Sequence, residues 1–552
     1  MDTVEGEDEV RIEDTGRGTP GGLAQQRHCA HVVSLGSERA LHLTLAAVAV
    51  MAMVVRSLPT ILNWGWLALG RYDDGVYLGM SMSLLHGEMP YRDLIMLHPP
   101  GSTLMLMPLA ALSTVLPDNW VMVLGRASFM LLGAATAAGV AYLVRDRGRA
   151  AMWAAGGTYA VFVPAAYADS SITLECLSSF LVVAALLSIK ACESPRPSHF
   201  WIAGAFLGLA TTVKIWGVLP LVIIVLWTWR TAGVAQSRRL ILSAFGIIAL
   251  VCLPFFISAP SDMWRMAILD QIGRPNSNPG PIARLPAIFG LPKVASDVGG
   301  WGASASFAIF ATLALALAWV AFKCIQRGAL LPAAMLVLGT AVLATSPSHF
   351  LQYGAFIAVP LAWCVGSVAR GRAAHSVLVV LGATSLVGSL MLAPGSTLSQ
   401  RFVSDVNATN GCLASDDPGA LIVTNTLSRN LKLGCPTWID VTGATYDIEG
   451  IKPENGVYVS RTKNPYWQYG ILGPYLEGSS AFILGRPSTG ASDQQKQYWK
   501  RAAETTTSGR FTLYKVTCPG DSDRAMIPFS RWAEANRDQF EEALQRLNGP
   551  CG

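Results

Sequence analysis

The sequence predicts a mostly α-helical, polytopic membrane bundle of about eleven helices, with a long outer loop of interfacial helices and a small extracytoplasmic α/β domain at its C-terminal end. Three observations predict it. Of the 552 residues, 52% are hydrophobic and only 14% charged, whereas an ordinary soluble domain is roughly 25% charged. Between about Leu41 and Leu392 the apolar residues gather into runs of membrane-spanning length, rich in Ala, Leu, Val and Gly and broken by short clusters of Arg, Pro and Asp. From about Pro394 onward the composition turns polar and mixed, with alternating apolar stretches at 420–424 and 456–460, a pattern that fits a small soluble α/β domain.

Apolar length places spans at about 41–61, 120–144, 151–167, 174–191, 199–213, 215–230, 239–259, 303–322, 329–346, 350–369 and 375–394. Cytoplasmic connections of membrane proteins are enriched in Lys and Arg. The alternate short loops Arg145–Arg149, Lys190–Arg196, Arg230–Arg239, Lys323–Arg327 and Arg370–Arg372 each carry at least two basic residues. One assignment puts all of them inside a plasma (inner) membrane. Residues 1–40 are then a disordered cytoplasmic tail, 41–394 a membrane domain and 395–552 an extracytoplasmic soluble domain. The tail is acidic at its start (Glu5, Glu7, Asp8, Glu9) and lacks the basic-then-apolar order of a cleavable signal. The same assignment puts loops 62–119 and 260–302, and the turns near Asp169, Lys214 and His349, on the outer side.

The cysteines agree with that topology. Of ten, Cys412, Cys435, Cys518 and Cys551 fall in the outer domain, an even number where disulfides persist, so two bridges are expected in one of three pairings. The other six fall in the tail, spans or inner loops and read as small apolar residues. No CxxC pair or His/Cys cluster appears, so neither a zinc nor a redox site is expected and no cofactor is predicted, although a carboxylate pair could hold a divalent ion. The net charge of +5 lies mostly in loops between spans; it reports topology and gives no case for nucleic acid.

The stretch Pro99–Leu116 is apolar too, but counting it as a span would put the basic loop 145–149 outside. It reads instead as a helix lying in or re-entering the outer interface. The loop 62–119 that contains it also holds the densest polar cluster of the membrane region: Arg71-Tyr-Asp-Asp-Gly-Val-Tyr77, then Leu85-His-Gly-Glu-Met-Pro-Tyr-Arg-Asp93, then His98-Pro-Pro-Gly101. Ionisable groups at a membrane edge are costly unless paired, which makes them functional candidates. The plainer alternative is a solvated loop in which Asp73 caps the helix that follows.

An acidic pair just after the first span, then Tyr77, a helix ending Leu85-His-Gly87 and Pro99-Pro100 opening a second interfacial helix resemble the GT-C glycosyltransferases that use polyprenyl-phosphate sugars. Among these the arrangement is most similar to the protein O-mannosyltransferases, the lipid A aminoarabinose transferases and their bacterial cell-envelope counterparts. Four further segments resemble the family pattern. They are Tyr167–Phe180, where Glu175 matches an acidic residue by spacing with Asp169 nearby; Gly204–Lys214, a Gly-rich span ending in lysine; Met263–Arg274, an aromatic helix followed by an arginine; and Ser346–Tyr353, a turn with His349 and Tyr353. The resemblance covers roughly residues 40–395.

The resemblance implies an inverting transferase that moves one sugar from a polyprenyl-phosphate carrier to a glycan, lipid or protein acceptor of the cell envelope, at the outer face of the bilayer. Such chemistry needs a base for the acceptor hydroxyl, and a carboxylate can serve. Asp73 is the expected base, with Asp74 holding a partner cation or the acceptor; being adjacent, the two side chains diverge. The leaving lipid phosphate needs fixed cations, for which Lys214, Arg274 and His349 are candidates, with Arg71 and Arg92 behind them. A lone Lys or Arg at a span end is also a common snorkelling residue. Glu175 could orient the acceptor or a cation, and Tyr77 and Tyr353 could contact a sugar or form part of an aromatic girdle. The alternative function is a transporter or flippase of lipid-linked sugars; such folds often carry inverted repeats, and none is visible between the halves of this chain.

Overall fold

The computed structural model describes residues 35–190, 195–274, 281–291, 302–369, 395–447, 461–463 and 466–516. The expected tail up to residue 34, the expected span 375–394, and Cys518 and Cys551 lie outside the described residues.

The apolar runs form helices as their composition demands. The first is α1 (Leu35–Pro59), whose last turn widens into a π turn over Thr60–Trp64 and stops at Gly65, where φ is +67°. Two short helices follow, α2 (Tyr72–Leu85) and α3 (Gly101–Ala111), packed on each other. Eleven residues rise only about 16 Å, so α3 is too short to cross a hydrocarbon core of about 30 Å. The long α4 (Asp118–Leu143) leads to α5 (Arg149–Val161), α6 (Val163–Asp169) and α7 (Leu174–Lys190). The single span expected over 151–167 is therefore broken: Phe162 leaves the helical region and Pro164 restarts the chain as α6. A bend of 104° then separates α6 from α7.

Next come α8 (Pro197–Val213), α9 (Val218–Ala232) and α10 (Val234–Ser258). Gly204 and Gly208 let α8 lie against the backbone of α10: a Cβ at Gly204 would stand 2.3 Å from the Leu240 carbonyl oxygen and one at Gly208 2.6 Å from that of Ala244. The short helices α11 (Pro260–Trp264), α12 (Asp270–Ile272) and α13 (Pro281–Ile288) precede α14 (Gly302–Gln326) and α15 (Leu330–Thr345). A 3-10 turn over Leu351–Ile357 opens α16 (Ala358–Val368). Six helical stretches are long and apolar enough to cross a membrane, and the bent pair α6 and α7 makes a seventh if counted as one. The chain is a multi-pass membrane protein.

Beyond Gly395 a four-stranded mixed sheet forms: β1 (Leu413–Ser415), β2 (Ala481–Leu484), β3 (Ala503–Ser508) and β4 (Phe511–Val516), in the order β1-β2-β4-β3. Only β1 and β2 run parallel. The alternating stretch 420–424, which reads as a strand, is instead the helix Pro418–Val423. Asp417 accepts from the Gly419 amide at its N-terminus and Pro418 occupies the first turn, two start signals that outweigh the alternation. Cys412 and Cys435 are bridged.

This C-terminal region packs directly on the membrane helices. A Cβ at Gly75 of α2 would stand 2.2 Å from the Gly419 nitrogen, the Ile439 side chain covers Gly79, and Asp118 of α4 accepts from the Ser428 amide at 2.9 Å. Residues such as Val76, Phe402, Leu421 and Ile439 belong to one continuous buried cluster.

Candidate active site

The first turn of α2 presents Asp73 and Asp74 on consecutive positions, about 100° apart around the helix axis. Asp74 is 1% exposed and its carboxylate is bound on both oxygens. The Arg126 Nε donates to Oδ2 at 2.8 Å and the Ile172 amide donates to Oδ1 at 3.0 Å. Arg126 also donates to the carbonyls of Trp66 (2.6 Å) and Ala68 (3.0 Å). This cluster fastens α2, α4, the bend after α6 and the end of the first loop together.

Asp73 has different company. Its Oδ2 accepts from Gln352 Nε2 at 2.9 Å. Burial, joined by the negative charges of Glu175 and Asp440 and opposed by Lys214, pushes its carboxyl up from 3.8 to about 6. It therefore ionises just below neutral pH.

Glu175, in the first turn of α7, pairs with Lys214 at 2.5 Å, with the two side chains 3% and 6% exposed. Lys214 is held where α8 ends: its backbone is extended, and a 3-10 turn over Ile215–Gly217 leads into α9. Its ammonium lies 3.9 Å from the ring centre of Tyr353 and 4.2 Å from that of Trp216. Arg274 reaches the Tyr353 hydroxyl at 3.4 Å. Tyr77 sits edge-on to His98, with ring centres 5.9 Å apart. Burial, reinforced by Lys214 and Arg274, holds the His98 imidazole well below its ordinary value. His349 meets Tyr353 edge-on at 6.2 Å, and burial lowers it to about 4.

The structure thus brings Asp73, Glu175, Lys214, Tyr77, Arg274, His349 and Tyr353 into one neighbourhood. It leaves three others apart. Asp169 turns into the bundle and accepts from Arg56 Nε at 3.0 Å, both side chains being fully buried. Arg92 faces solvent beside Asp93, 48% exposed. Arg71 lies on the Asp74 side, donating to Ser170 Oγ at 2.8 Å with its guanidinium 4.4 Å from the Tyr167 ring centre.

Four further residues join the neighbourhood without a role that the sequence motifs assign. Gln352 is uncharged and gave no signal. His98 stood in the His-Pro-Pro-Gly segment. Arg126 is a lone arginine inside an apolar span, which is a signal in itself. Asp440 comes from the C-terminal region: it accepts from the Tyr72 hydroxyl at 2.9 Å, while the Arg486 guanidinium covers the Tyr72 ring at 3.3 Å and the Thr442 amide donates to the same hydroxyl at 3.1 Å.

Two cavities flank this centre. An almost entirely apolar groove of about 570 Å³ runs between α8, α9, α10 and α11, lined by Pro99, Thr212, Ile215, Ile248, Met263 and Trp264 among others. Its rim residues Thr212 and Ile215 bracket Lys214 in sequence. A second, more polar cavity of about 170 Å³ lies beside Arg71 and Arg126. Among the described residues no group of three or more His, Cys, Asp or Glu side chains is placed to hold a metal ion.

Comparison with solved structures shows that this chain has the GT-C fold. The ArnT structure from Cupriavidus metallidurans, bound to undecaprenyl phosphate, is similar over 88% of this chain and 99% of that one, at 14% identity and a TM-score of 0.51. The archaeal oligosaccharyltransferase AglB from Archaeoglobus fulgidus, in complex with an inhibitory peptide and a dolichol-phosphate, is similar over 88% of this chain and 75% of that one, at 12% identity and a TM-score of 0.53. No family model and no curated protein matches the sequence.

Proposed function

We propose that the chain is an inverting glycosyltransferase that moves one sugar from a polyprenyl monophosphate to a cell-envelope acceptor at the outer face of the plasma membrane. The observation that carries this reading is the placement of Asp73 beside the Lys214–Glu175 pair, next to an apolar groove of about 570 Å³. The groove takes the polyprenyl chain, since its lining is almost entirely apolar. Lys214 then stands at the lipid phosphate, with Arg274 and the Tyr353 hydroxyl close by. The undecaprenyl phosphate and dolichol-phosphate bound in the two similar structures support the same donor class.

The acceptor oxygen attacks the anomeric carbon as Asp73 takes its proton. The bond from that carbon to the phosphate oxygen breaks, and its electron pair stays on the phosphate, where Lys214 and Arg274 balance the charge. A single displacement inverts the anomeric centre. With a pKa of about 6, Asp73 is mostly ionised at pH 7 yet more basic than a solvated carboxylate.

The geometry of α7 supports the orientation. Glu175 lies in its first turn and Lys190 in its last, roughly 22 Å apart along the axis. At the Lys190 end the basic loops meet: Arg145 reaches the Lys190 carbonyl, and Arg147 reaches those of Ser367 and Arg327. That end is cytoplasmic by its positive charge, so the Asp73 end faces outward with the C-terminal domain. The Cys412–Cys435 bridge fits an oxidising compartment.

The test is transfer of radiolabelled sugar from a panel of purified polyprenyl-phosphate donors in membranes that contain the chain. Label leaving at least one donor supports the reading. Labelled carrier that crosses the bilayer intact, without transfer, would point to a flippase.

A further inference from the structure

Tyr72, Asp73 and Asp74 open α2, and no side chain caps the helix start at Arg71. The first turn therefore lacks one ordinary local means of fixing its direction. Two anchors from elsewhere in the chain hold it. On one flank of Asp73, Asp74 is bound by Arg126 of α4 and by the Ile172 amide after α6. On the other flank, Tyr72 is bound by the C-terminal region.

The hold on Tyr72 is built from parts far apart in sequence. Its hydroxyl donates to Asp440 Oδ1 at 2.9 Å and accepts from the Thr442 amide at 3.1 Å. The same Asp440 oxygen accepts from the Gly443 amide at 2.7 Å, which ties it to its own loop. The Arg486 guanidinium lies 3.3 Å from the centre of the Tyr72 ring and donates to the Thr442 hydroxyl at 2.6 Å. Arg486 is set in turn by Asp416, a buried carboxylate just beyond β1, which accepts from the amides of Gly485 and Arg486, each at 2.9 Å. The tyrosine is thus fixed at its hydroxyl by two bonds and on its face by a cation.

This contact falls on the residue next to the proposed base. Consecutive residues of a helix share one backbone and point about 100° apart, so a movement of Tyr72 turns Asp73 relative to its surroundings. Those surroundings come from every side: Gln352 before α16, Glu175 of α7, Lys214 after α8, Asp74 and Tyr77 of α2, Tyr167 of α6 and Asp440. Asp440 therefore reaches the site twice, through its bond to Tyr72 and through its charge on Asp73.

We propose that Tyr72 is a positioning residue for Asp73, held by Asp440 and Arg486, so that the C-terminal region completes the reacting centre by aiming its carboxylate. The proposal rests on the reading of the chain as a glycosyltransferase with Asp73 as base, and names the groups that orient that base.

The test is transfer kinetics of the full-length chain in lipid nanodiscs, with a radiolabelled polyprenyl-phosphate donor, on the alkaline plateau of the pH–rate profile. Tyr72→Phe keeps the ring under Arg486 and deletes the hydroxyl. Its kcat is expected to fall about 10-fold or more while the donor KM stays unchanged. Asp440→Ala should lose as much, and Asp440→Asn, whose amide oxygen still accepts from the hydroxyl, should recover most of that loss. Because the two losses come from one hydrogen bond, Tyr72→Phe combined with Asp440→Ala should be no slower than either alone. Wild-type kcat in Tyr72→Phe, an effect on KM alone, a fully additive double variant, or Asp440→Asn as slow as Asp440→Ala would each overturn the proposal. A contact that serves docking alone would lower Tm and leave the kcat of the folded protein in place, which overturns it as well. Should Tyr72→Phe fail to fold, Asp440→Asn against Asp440→Ala decides by the same rule. Failure of the underlying reading looks different: a wild type that transfers from no donor removes the transferase and this proposal with it, whereas an active wild type matched by Tyr72→Phe removes only the positioning role.

Discussion

Asp73 and Asp74 are neighbours in the chain and have no partner in common. Asp74 is closed off by Arg126 and the Ile172 amide, while Asp73 shares only the Gln352 amide and sits in the field of Glu175 and Lys214. The helical turn that separates them by about 100° points one carboxylate at Arg126 and the other toward Gln352 and the Glu175–Lys214 pair.

Asp74→Asn should therefore act first on stability. Removing one partner from a buried ion pair costs about 3–5 kcal/mol. Thermal unfolding in detergent should show a lowered Tm for Asp74→Asn and for Arg126→Leu, with the double variant much less than additive. An Asp74→Asn protein with unchanged Tm would mean that the pair does not fasten α2 to α4.

The acid limb of the pH–rate profile should report Asp73. A carboxyl raised to about 6 is protonated, and inactive as a base, below that pH, so transfer should rise as pH climbs through about 6. The negative charge of Asp440 is one of the causes of that rise. Asp440→Asn should move the limb to lower pH while keeping an acceptor for the Tyr72 hydroxyl. A limb that stays in place or moves up would contradict the assignment.

Lys214 and Glu175 are both buried, and the sign of their roles differs. Lys214→Met should raise KM for the lipid donor and lower kcat, because it removes charge where the phosphate departs. Glu175→Gln leaves the lysine with an amide partner and should affect kcat less. Donor titration at fixed acceptor separates the two; equal effects would mean that the pair acts only as a structural unit.

Gly75 is one of the points where the C-terminal region touches α2, since a Cβ there would stand 2.2 Å from one backbone atom of Gly419 and 2.7 Å from another. Gly75→Ala should loosen this contact at a cost of roughly 1–3 kcal/mol. The loss should appear as faster limited proteolysis in the segment after Gly395. Unchanged proteolysis would mean that the docking depends on other contacts.

Much of the membrane architecture was legible because length and apolarity are read directly from the chain: helices occupy each expected stretch through 350–369. What periodicity cannot show is where such a stretch breaks. Phe162 and the 104° bend after α6 turn Asp169 inward to Arg56, so a residue that looked like part of the site is a buried anchor. Charge was a good guide at Glu175 and Lys214, which pair across 39 positions. It was a poor one at Gln352, which is neutral, and at Asp440, which reaches α2 only through the tertiary docking of a domain 368 positions away from Tyr72.

The most direct test of the central claim is the rate of sugar release from a radiolabelled polyprenyl-phosphate donor by the purified chain, compared between wild type and Asp73→Asn. With Asp73 as base, the variant should keep its fold and its donor affinity while losing at least about 100-fold in rate. An Asp73→Asn protein that transfers sugar at the wild-type rate would contradict the account.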